Sequence, residues 1–320
     1  MKTPTLALAA LAVMAALPAT AQNYPNRAIR LVVPSSPGGG TDITGRIVAQ
    51  KLSEQLGQQV VVDNRAGAGT IIGNDIVAKA PPDGYTLLMG LSTLAINPSM
   101  YAKLPYDALK DFAPVSLAVL SPNILTVHLS LPAKNVREFI ALAKAKPGTI
   151  TFGSAGQGTS PHLSGELLKV LAKIDIVHVP FKGSGQSVIS SLAGEIVANF
   201  PSVPTAMPYL KANRLRGLGV TTAKRTQALP DVPSIAEAGV PGYEATQWFG
   251  VLAPAGTPRP IIDRLNAEMI KMLKSPDVRE RFISDGTDPA PTTPEEFAAY
   301  IKSETEKWTK VIKAAGIKPQ

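Results

Sequence analysis

The 320-residue sequence contains no cysteine, which excludes disulfide bonds, thiolate catalysis and cysteine-based zinc sites. Aromatic residues make up only 5% of the chain, and its lysines and arginines are scattered rather than gathered in blocks. The chain therefore lacks the basic stripe with interleaved aromatics that is typical of nucleic-acid-binding surfaces, although its formal net charge is +8. We expect a mild attraction for small anions and no nucleic-acid partner.

The longest apolar run, residues 6–17, is too short to cross a bilayer as a helix, which needs about 20 residues. Lys2 precedes this run, and Ala19-Thr20-Ala21 follows it as an A-x-A cleavage site. The layout predicts a secretion signal over residues 1–21, rather than a buried N-terminal helix, and a mature chain from Gln22. The remaining residues, roughly 300, are enough for two hydrophobic cores.

The mature sequence alternates strand-like and helix-like segments. A strand at 29–33 and a helix at 43–56 open the pattern, which restarts at 123–127 with no low-complexity linker between the halves. This order predicts an α/β protein with a mostly parallel sheet, built as two lobes that share a hinge. Further strands are predicted at 60–62, 86–89, 150–152, 176–179, 196–199, 216–220 and 248–252, and further helices at 136–145, 161–172, 186–192, 259–273, 276–285 and 294–314.

A glycine-rich loop, Pro37-Gly38-Gly39-Gly40-Thr41-Asp42, lies between the first strand and the first helix. Such a loop leaves backbone N–H groups free to bind an anion, helped by the helix dipole. It is not a phosphate-binding P-loop, because Arg46 and Ile47 stand where a lysine and a hydroxyl residue are required. The glycines of 67–73 miss the dinucleotide fingerprint by one residue. A tight turn is the structural alternative for the loop, and Asp42 either caps the helix or contacts a ligand.

A second loop rich in glycine and serine, residues 153–160, also lies between a predicted strand and a predicted helix. Loops at the carboxyl ends of strands in α/β lobes border one cleft. Both loops are therefore predicted to bind one anion, with added hydroxyls from Ser154, Thr159 and Ser160. His162 either lines this cleft or packs at the start of the helix.

Catalytic and metal-binding patterns are poorly supported by the sequence. Ser154 does not lie in a G-x-S-x-G motif, because Phe152 stands in place of the first glycine. The three histidines have no spacing that suggests zinc. We expect no metal, no cofactor and no catalysis; an enzyme is the alternative only if a nucleophile and a base converge in the cleft.

An ordered series of motifs runs along the whole mature chain, and it resembles the Bug, or TctC-like, extracytoplasmic receptors of tripartite tricarboxylate transporters. Each motif is weak by itself, whereas their order is specific. The series comprises Tyr24-Pro25, Ile29-Arg30-Leu31-Val32-Val33-Pro34, Pro37-Gly38-Gly39-Gly40-Thr41-Asp42, Val62-Asp63-Asn64-Arg65-Ala66-Gly67-Ala68-Gly69, Asp83-Gly84-Tyr85-Thr86-Leu87-Leu88, 153–163, His178-Val179-Pro180-Phe181-Lys182-Gly183, Leu229-Pro230-Asp231-Val232-Pro233 and 248–258.

The resemblance implies a type II periplasmic-binding fold, in which two α/β lobes close on a small carboxylate. The lobes implied are 22–122 plus 245–320, and 123–244. Two departures from the family pattern, Ser35-Ser36 and Phe200-Pro201, stand where specificity for the distal part of the ligand would be set. The implied ligand-binding residues are Ser36, Pro37, Gly38, Gly39, Thr41, Asp42, Ser92, Thr93, Ser154, Gly156, Gly158, Thr159, Ser160, His162 and Ser202.

These observations predict a monomeric periplasmic receptor that captures a small carboxylate and delivers it to the membrane permease of a tripartite tricarboxylate transporter. A sensor with the same fold is the alternative within the binding class. Neither glycine loop contains lysine or arginine, so we expect neutral dipoles to hold the carboxylate. Lys182 is the nearest cationic candidate in the sequence.

Overall fold

A computed structural model of the chain describes residues 24–35, 37–181 and 183–319. The predicted secretion signal, Ser36 and Lys182 lie outside these residues. The strands are β1 (Ile29–Val33), β2 (Val60–Asn64), β3 (Thr86–Leu91), β4 (Phe112–Ser121), β5 (Ile124–His128), β6 (Thr151–Ser154), β7 (Val177–Pro180), β8 (Ala198–Asn199), β9 (Leu215–Val220), β10 (Gln247–Pro254) and β11 (Asp288–Pro289). The helices are α1 (Gly40–Leu56), α2 (Ile71–Ala78), α3 (Thr93–Met100), α4 (Val136–Ala145), α5 (Ser160–Ala172), α6 (Ser184–Leu192), α7 (Val203–Lys211), α8 (Arg259–Lys274), α9 (Pro276–Ser284) and α10 (Pro294–Ala314).

The strands form two sheets, as the two-lobed α/β fold requires. The first has the strand order β11-β4-β10-β3-β1-β2, and the second has the order β7-β6-β8-β5-β9. The chain passes from β4 to β5 across residues 122 and 123, and it returns from β9 to β10 across residues 221–246. The lobe boundaries implied by the resemblance stay a prediction, and this division of the strands supports them.

The prediction of mostly parallel sheets was wrong, because both sheets are mixed. β1 pairs in parallel with β2 and β3, but β10 runs antiparallel to both β3 and β4. In the second sheet β6 pairs in parallel with β7 and β8, whereas β5 runs antiparallel to β8 and β9. Alternation of strands and helices does not show that the chain crosses between lobes, and each crossing inserts a strand of opposite direction.

Helices cover both faces of the first sheet, and α10 links the two lobes. Phe297 and Ile301, in its first half, pack in the core of the first lobe. Trp308 and Ile312, in its second half, pack with Phe152 in the core of the second lobe. No described helix is long and apolar enough to cross a membrane.

Most predicted elements are present; α2 and the two-residue strand β11 were not predicted, nor were three elements that contain an internal proline. The helix at 136–145 was predicted with its observed bounds, and the three C-terminal helices differ from theirs by one residue at most. Helices α3 and α7 were not predicted, and each contains an internal proline, Pro98 and Pro208. Strand β4 was also missed, and it includes Pro114. Proline argues against regular structure in a local reading, and tertiary packing overrides that preference here.

Candidate ligand-binding cleft

A cavity of about 1130 Å³ is lined by residues from both sheets and their connecting loops. Among the described helices, six begin at this cavity, namely α1, α2, α3, α5, α6 and α7. The first N–H groups of a helix have no partner within the helix and carry the positive end of its dipole. The cavity therefore concentrates unpaired backbone donors from both lobes, which favours an anion.

The starts of these six helices have no side-chain caps, whereas two of the four described helices that begin elsewhere are capped; α8 and α9 are uncapped as well. Within the described chain, none of the six has a side chain that accepts a hydrogen bond from its first turn. By contrast, Asn135 caps α4 and Thr293 caps α10, where Glu296 completes a capping box. Side-chain caps satisfy exposed helix starts. First turns without a side-chain cap leave N–H groups available to a ligand at the cavity, although α7 offers fewer, because Val203 N–H donates to the Pro122 carbonyl and Pro204 has no N–H.

The Asp42 carboxylate fixes the conformation of the first glycine loop through a hydrogen bond. Gly38 has φ +81°, and its N–H donates to Asp42 Oδ2 over 2.8 Å. Asn64 Nδ2 and Arg46 Nε donate to the same carboxylate over 2.9 and 3.0 Å. Burial alone would raise the pKa of Asp42, but these hydrogen bonds outweigh it and hold the pKa below its usual value. Asp42 lies in the first turn of α1, whose N-cap is Gly39, so its prediction as the cap was wrong.

The second glycine loop is held by hydroxyls and a buried imidazole pair. Ser154 Oγ accepts from Gly156 N over 3.0 Å and lies 2.6 Å from His178 Nε2. Gly158 N–H donates to His162 Nδ1 over 3.0 Å, and the rings of His162 and His178 stack with centroids 3.9 Å apart. Both glycines have positive φ, +127° and +74°. These hydrogen bonds and the ring stacking fix the path of the loop.

Burial keeps both imidazoles neutral. It lowers the pKa of His162 to about 3, with a further contribution from His178, and it lowers the pKa of His178 to about 4. A neutral His162 Nδ1 can accept the Gly158 hydrogen bond, whereas a protonated ring cannot. The loop geometry is thus matched to neutral histidines.

A pH-dependent loss of stability follows from these neutral rings. In the unfolded chain an imidazole binds a proton below about pH 6.5, whereas in the folded pair it does so only near pH 4. The neutral rings therefore stabilise the fold fully above about pH 6.5, and this stabilisation declines as the pH falls from there towards 4. We expect the free energy of unfolding to fall by about 2 kcal/mol per imidazole between pH 7 and pH 5. Urea denaturation at both pH values measures this loss.

The matched variants for this test are His178→Gln and His128→Gln. The first removes one member of the pair and should reduce the difference between pH 7 and pH 5. The second removes a half-buried histidine that does not belong to the pair and whose ring hydrogen-bonds Ser130, and it should leave the difference unchanged. If the free energy of unfolding depended on pH equally in the wild type and in His178→Gln, the assignment of neutral, buried imidazoles would be contradicted.

The predicted site residues divide into two groups. Those that line the cavity are Gly38, Gly39, Thr41, Ser92, Thr93, Thr159, Ser160 and Ser202. Those that lie outside its lining are Pro37, Asp42, Ser154, Gly156, Gly158 and His162; Ser36 lies outside the described residues. Asp42, Ser154 and His162 instead form the hydrogen bonds that shape the two loops.

Several cavity residues were not predicted from the sequence. Asn123 lies between the two sheets and is fully buried; its Nδ2 donates to Ser160 Oγ over 2.8 Å, and its N–H donates to Thr221 Oγ1 over 2.9 Å. It thus connects both crossings of the chain to the second loop. In the sequence it is the first residue of the strand predicted at 123–127, a position that does not indicate a role in the cavity. The other unpredicted polar residues of the lining include Thr44, Gly69, Thr70, Ser121, Ser184, Thr205, Gln247, Lys211, Arg281 and Asp285.

Residues 44–317 match the family described as the tripartite tricarboxylate transporter family receptor. The chain belongs to this receptor family. A relative from Pseudomonas sp. strain P51, the UPF0065 protein in the tcbD-tcbE intergenic region, is 45% identical over 90% of this chain and 86% of its own length. The resemblance seen in the sequence is therefore confirmed.

Two solved structures that are more than 30% identical superpose on at least 90% of this chain. The R. palustris protein Rpa4515 with adipate is 38% identical, has a TM-score of 0.83 and covers 93% of this chain and 100% of its own. MatC from Rhodopseudomonas palustris with bound malate is 32% identical, has a TM-score of 0.77 and covers 90% of this chain and 100% of its own. The predicted two-lobed binding-protein fold is confirmed by these matches.

Proposed function

We propose that this receptor captures a small carboxylate in the cavity between its lobes, in the periplasm, and delivers it to the permease of a tripartite tricarboxylate transporter. The observation that carries the proposal is the convergence of six uncapped helix starts on one cavity. Adipate and malate in two related structures are carboxylates of the expected kind. The receptor is proposed to act as a monomer.

The carboxylate is proposed to bind at the first turns of α1 and α5. They come from opposite lobes, and Thr41 and Ser160 add hydroxyls beside the backbone donors. Charge-assisted hydrogen bonds to a carboxylate contribute about 1.5–3 kcal/mol each. A carboxylate that bonds to both lobes binds the closed arrangement more tightly than the open one, and this difference in affinity is what closes the receptor.

Binding rather than catalysis is proposed because the serine–histidine contact of the second glycine loop, between Ser154 and His178, lies outside the cavity lining. Ser154 lies 2.6 Å from His178 Nε2, but Ser154 is fully buried and does not line the cavity. Its hydroxyl also donates to the Gly156 carbonyl over 3.1 Å. A nucleophile needs access to its substrate, and this hydroxyl is instead part of the loop's support.

The proposal predicts that binding depends on the ionised carboxylate. We expect adipate or malate to raise the melting temperature and to give a measurable heat in calorimetry, because the helix starts favour a negative charge. The dimethyl esters keep the carbon skeleton without the charge and should give neither signal. Binding of an ester as tight as that of its acid would contradict an anion site; the heat-denatured protein serves as the control for non-specific heat.

A further inference from the structure

Thr70, the N-cap of α2, has a backbone conformation that is rare for threonine. Its φ is +80°, and Gly69 and Ala68 before it also have positive φ, of +60° and +45°. A β-branched residue is strained in this region, whereas glycine adopts it freely. The Thr70 side chain also makes no capping hydrogen bond to the first turn of α2. Neither backbone conformation nor capping therefore accounts for a threonine at this position.

Buried polar side chains hold this segment in place. Asn97 Nδ2 donates to the Gly69 carbonyl over 3.0 Å, and Asn74 Nδ2 donates to Thr70 Oγ1 over 3.4 Å. The two amides also donate to the Tyr106 hydroxyl, over 3.4 and 2.9 Å respectively. All three supporting side chains are buried, and strained backbone persists where such surroundings determine it, often at binding sites. Because Gly69 and Thr70 both line the cavity, this support fixes part of the cavity wall.

Thr70 and Thr93 form a hydroxyl pair in the cavity lining. Their Oγ1 atoms are 2.8 Å apart, and both residues line the cavity and are half-buried. One hydroxyl hydrogen joins the two oxygens, so the pair retains one hydrogen to donate and lone pairs to accept. A ligand hydroxyl likewise donates and accepts, whereas a carboxylate only accepts. The pair is therefore complementary to a hydroxyl group.

The hydroxyl pair lies beside the first glycine loop. Strands β2 and β3 run parallel to β1 on either side of it, so the carboxyl ends of all three strands meet at one edge of the sheet. The glycine loop follows β1, Thr70 follows β2 and Thr93 follows β3. Helix α2 also packs closely on the start of that loop, because a Cβ added to Gly73 would lie 2.8 Å from Pro34 Cα. A ligand whose carboxylate binds at the start of α1 therefore has the pair as a neighbour.

We infer that Thr70 is a specificity-determining residue whose hydroxyl, together with that of Thr93, selects carboxylates that carry a hydroxyl group close to the carboxylate. The inference rests on the proposed function, because the carboxylate at the helix starts brings the carbon chain of the ligand beside the pair. A hydroxyl is proposed rather than an ammonium group, because Asp285 is the one carboxylate among the described lining residues and it is paired with Arg281. Two hydrogen bonds to the pair should improve the binding of a hydroxy acid over the unsubstituted acid by about tenfold.

Calorimetry with two pairs of acids tests this role: malate against succinate, and 2-hydroxyadipate against adipate. Within each pair the acids have the same length and charge and differ by one hydroxyl group. The wild type should prefer the hydroxy acid in the pair whose length fits the cavity. Thr70→Val keeps a β-branched side chain at the same strained position but removes the hydroxyl. This variant should lose most of the preference, while its binding of the unsubstituted acid stays unchanged.

Two further variants at the same position distinguish the hydroxyl from the backbone. Thr70→Ser keeps a hydroxyl and should keep the preference. Thr70→Gly relieves the strain, because glycine adopts φ +80° freely, and it should lose the preference without a fall in melting temperature. The control elsewhere is Thr309→Val. Thr309 Oγ1 lies 2.7 Å from Ser99 Oγ in a similar hydroxyl pair outside the cavity lining, so this variant should keep the wild-type preference.

The outcomes separate the two proposals. If the wild type bound the unsubstituted acid at least as tightly as its hydroxy acid in both pairs, the role of Thr70 would be overturned and the carboxylate site would stand. A preference that persists in both Thr70→Val and Thr70→Gly would have the same meaning. Aspartate that binds more tightly than malate would overturn the choice of a hydroxyl. Failure of the wild type to bind any of the four acids would overturn the proposed carboxylate site, and with it this inference.

Discussion

Replacing Gly38 by valine should weaken carboxylate binding by about a hundredfold or more. Gly38 has φ +81°, and a β-branched residue is strongly disfavoured there, by about 1–3 kcal/mol. A Cβ on Gly38 would meet no other atom within 4 Å, so the cost lies in the backbone conformation alone. The loop should relax to another path, which displaces the N–H groups at the start of α1. Two lost charge-assisted hydrogen bonds account for this loss of affinity, which calorimetry with adipate measures.

Gly57→Val is the matched control for this variant. Gly57 ends the same helix, has φ +69° and also has nothing within 4 Å of a Cβ, but it does not line the cavity. It should lower the melting temperature like Gly38→Val while leaving the affinity unchanged. Gly39→Val is a further comparison, because it adds the same side chain without backbone strain: Gly39 has φ −79°. Wild-type affinity in Gly38→Val would show that the first loop does not hold the ligand.

Replacing Gly165 by alanine should lower the free energy of unfolding by about 2 kcal/mol, although alanine is the better helix former. Gly165 lies within α5, and a Cβ there would clash with the ring of Phe152. The ring of Phe152 cannot move away freely, because it is fully buried and packs edge-on against Phe200 at 5.8 Å between centroids. Helix α5 carries the second glycine loop at its start, so the overpacking should also weaken binding. Urea denaturation and adipate calorimetry measure the two effects.

Gly185→Ala supplies the opposite expectation at a helical glycine without such a neighbour. Gly185 lies in α6, and a Cβ there meets nothing within 4 Å. Alanine should therefore stabilise the protein by about 0.5 kcal/mol through its lower loss of backbone entropy. If both alanine variants changed stability in the same direction and by the same amount, the close packing of Gly165 on Phe152 would not be the cause.

The fold was predictable to the extent that it depends on local pattern. Alternating β-branched runs and amphipathic segments identified most of the strands and most of the helices, and the ordered motifs identified the receptor family. The direction of β10 was not predictable in this way, because its neighbours β3 and β4 lie more than a hundred residues earlier in the chain. Strand direction within a sheet depends on how the chain crosses between lobes, and residue periodicity does not record that crossing.

The site was predictable as a pair of loops but not as a set of side chains. Gly38, Thr159 and Ser160 line the cavity as expected, whereas Asp42 and His162 belong to the same motifs and support the loops from behind. A motif specifies which residue types a loop contains, but it does not specify which of them face the ligand.

The sequence by itself determined most of the order of strands and helices, the two anion-favouring loops and the membership of the receptor family. Only the tertiary structure decided which side chains border the cavity. Asp42 accepts a hydrogen bond from Asn64, 22 residues away, and Ser154 hydrogen-bonds with His178, 24 residues away. Lys211 and Arg281 both line the cavity although seventy residues separate them. Hydrogen bonds and charges act through space, so their partners are set by the folded chain rather than by spacing along it.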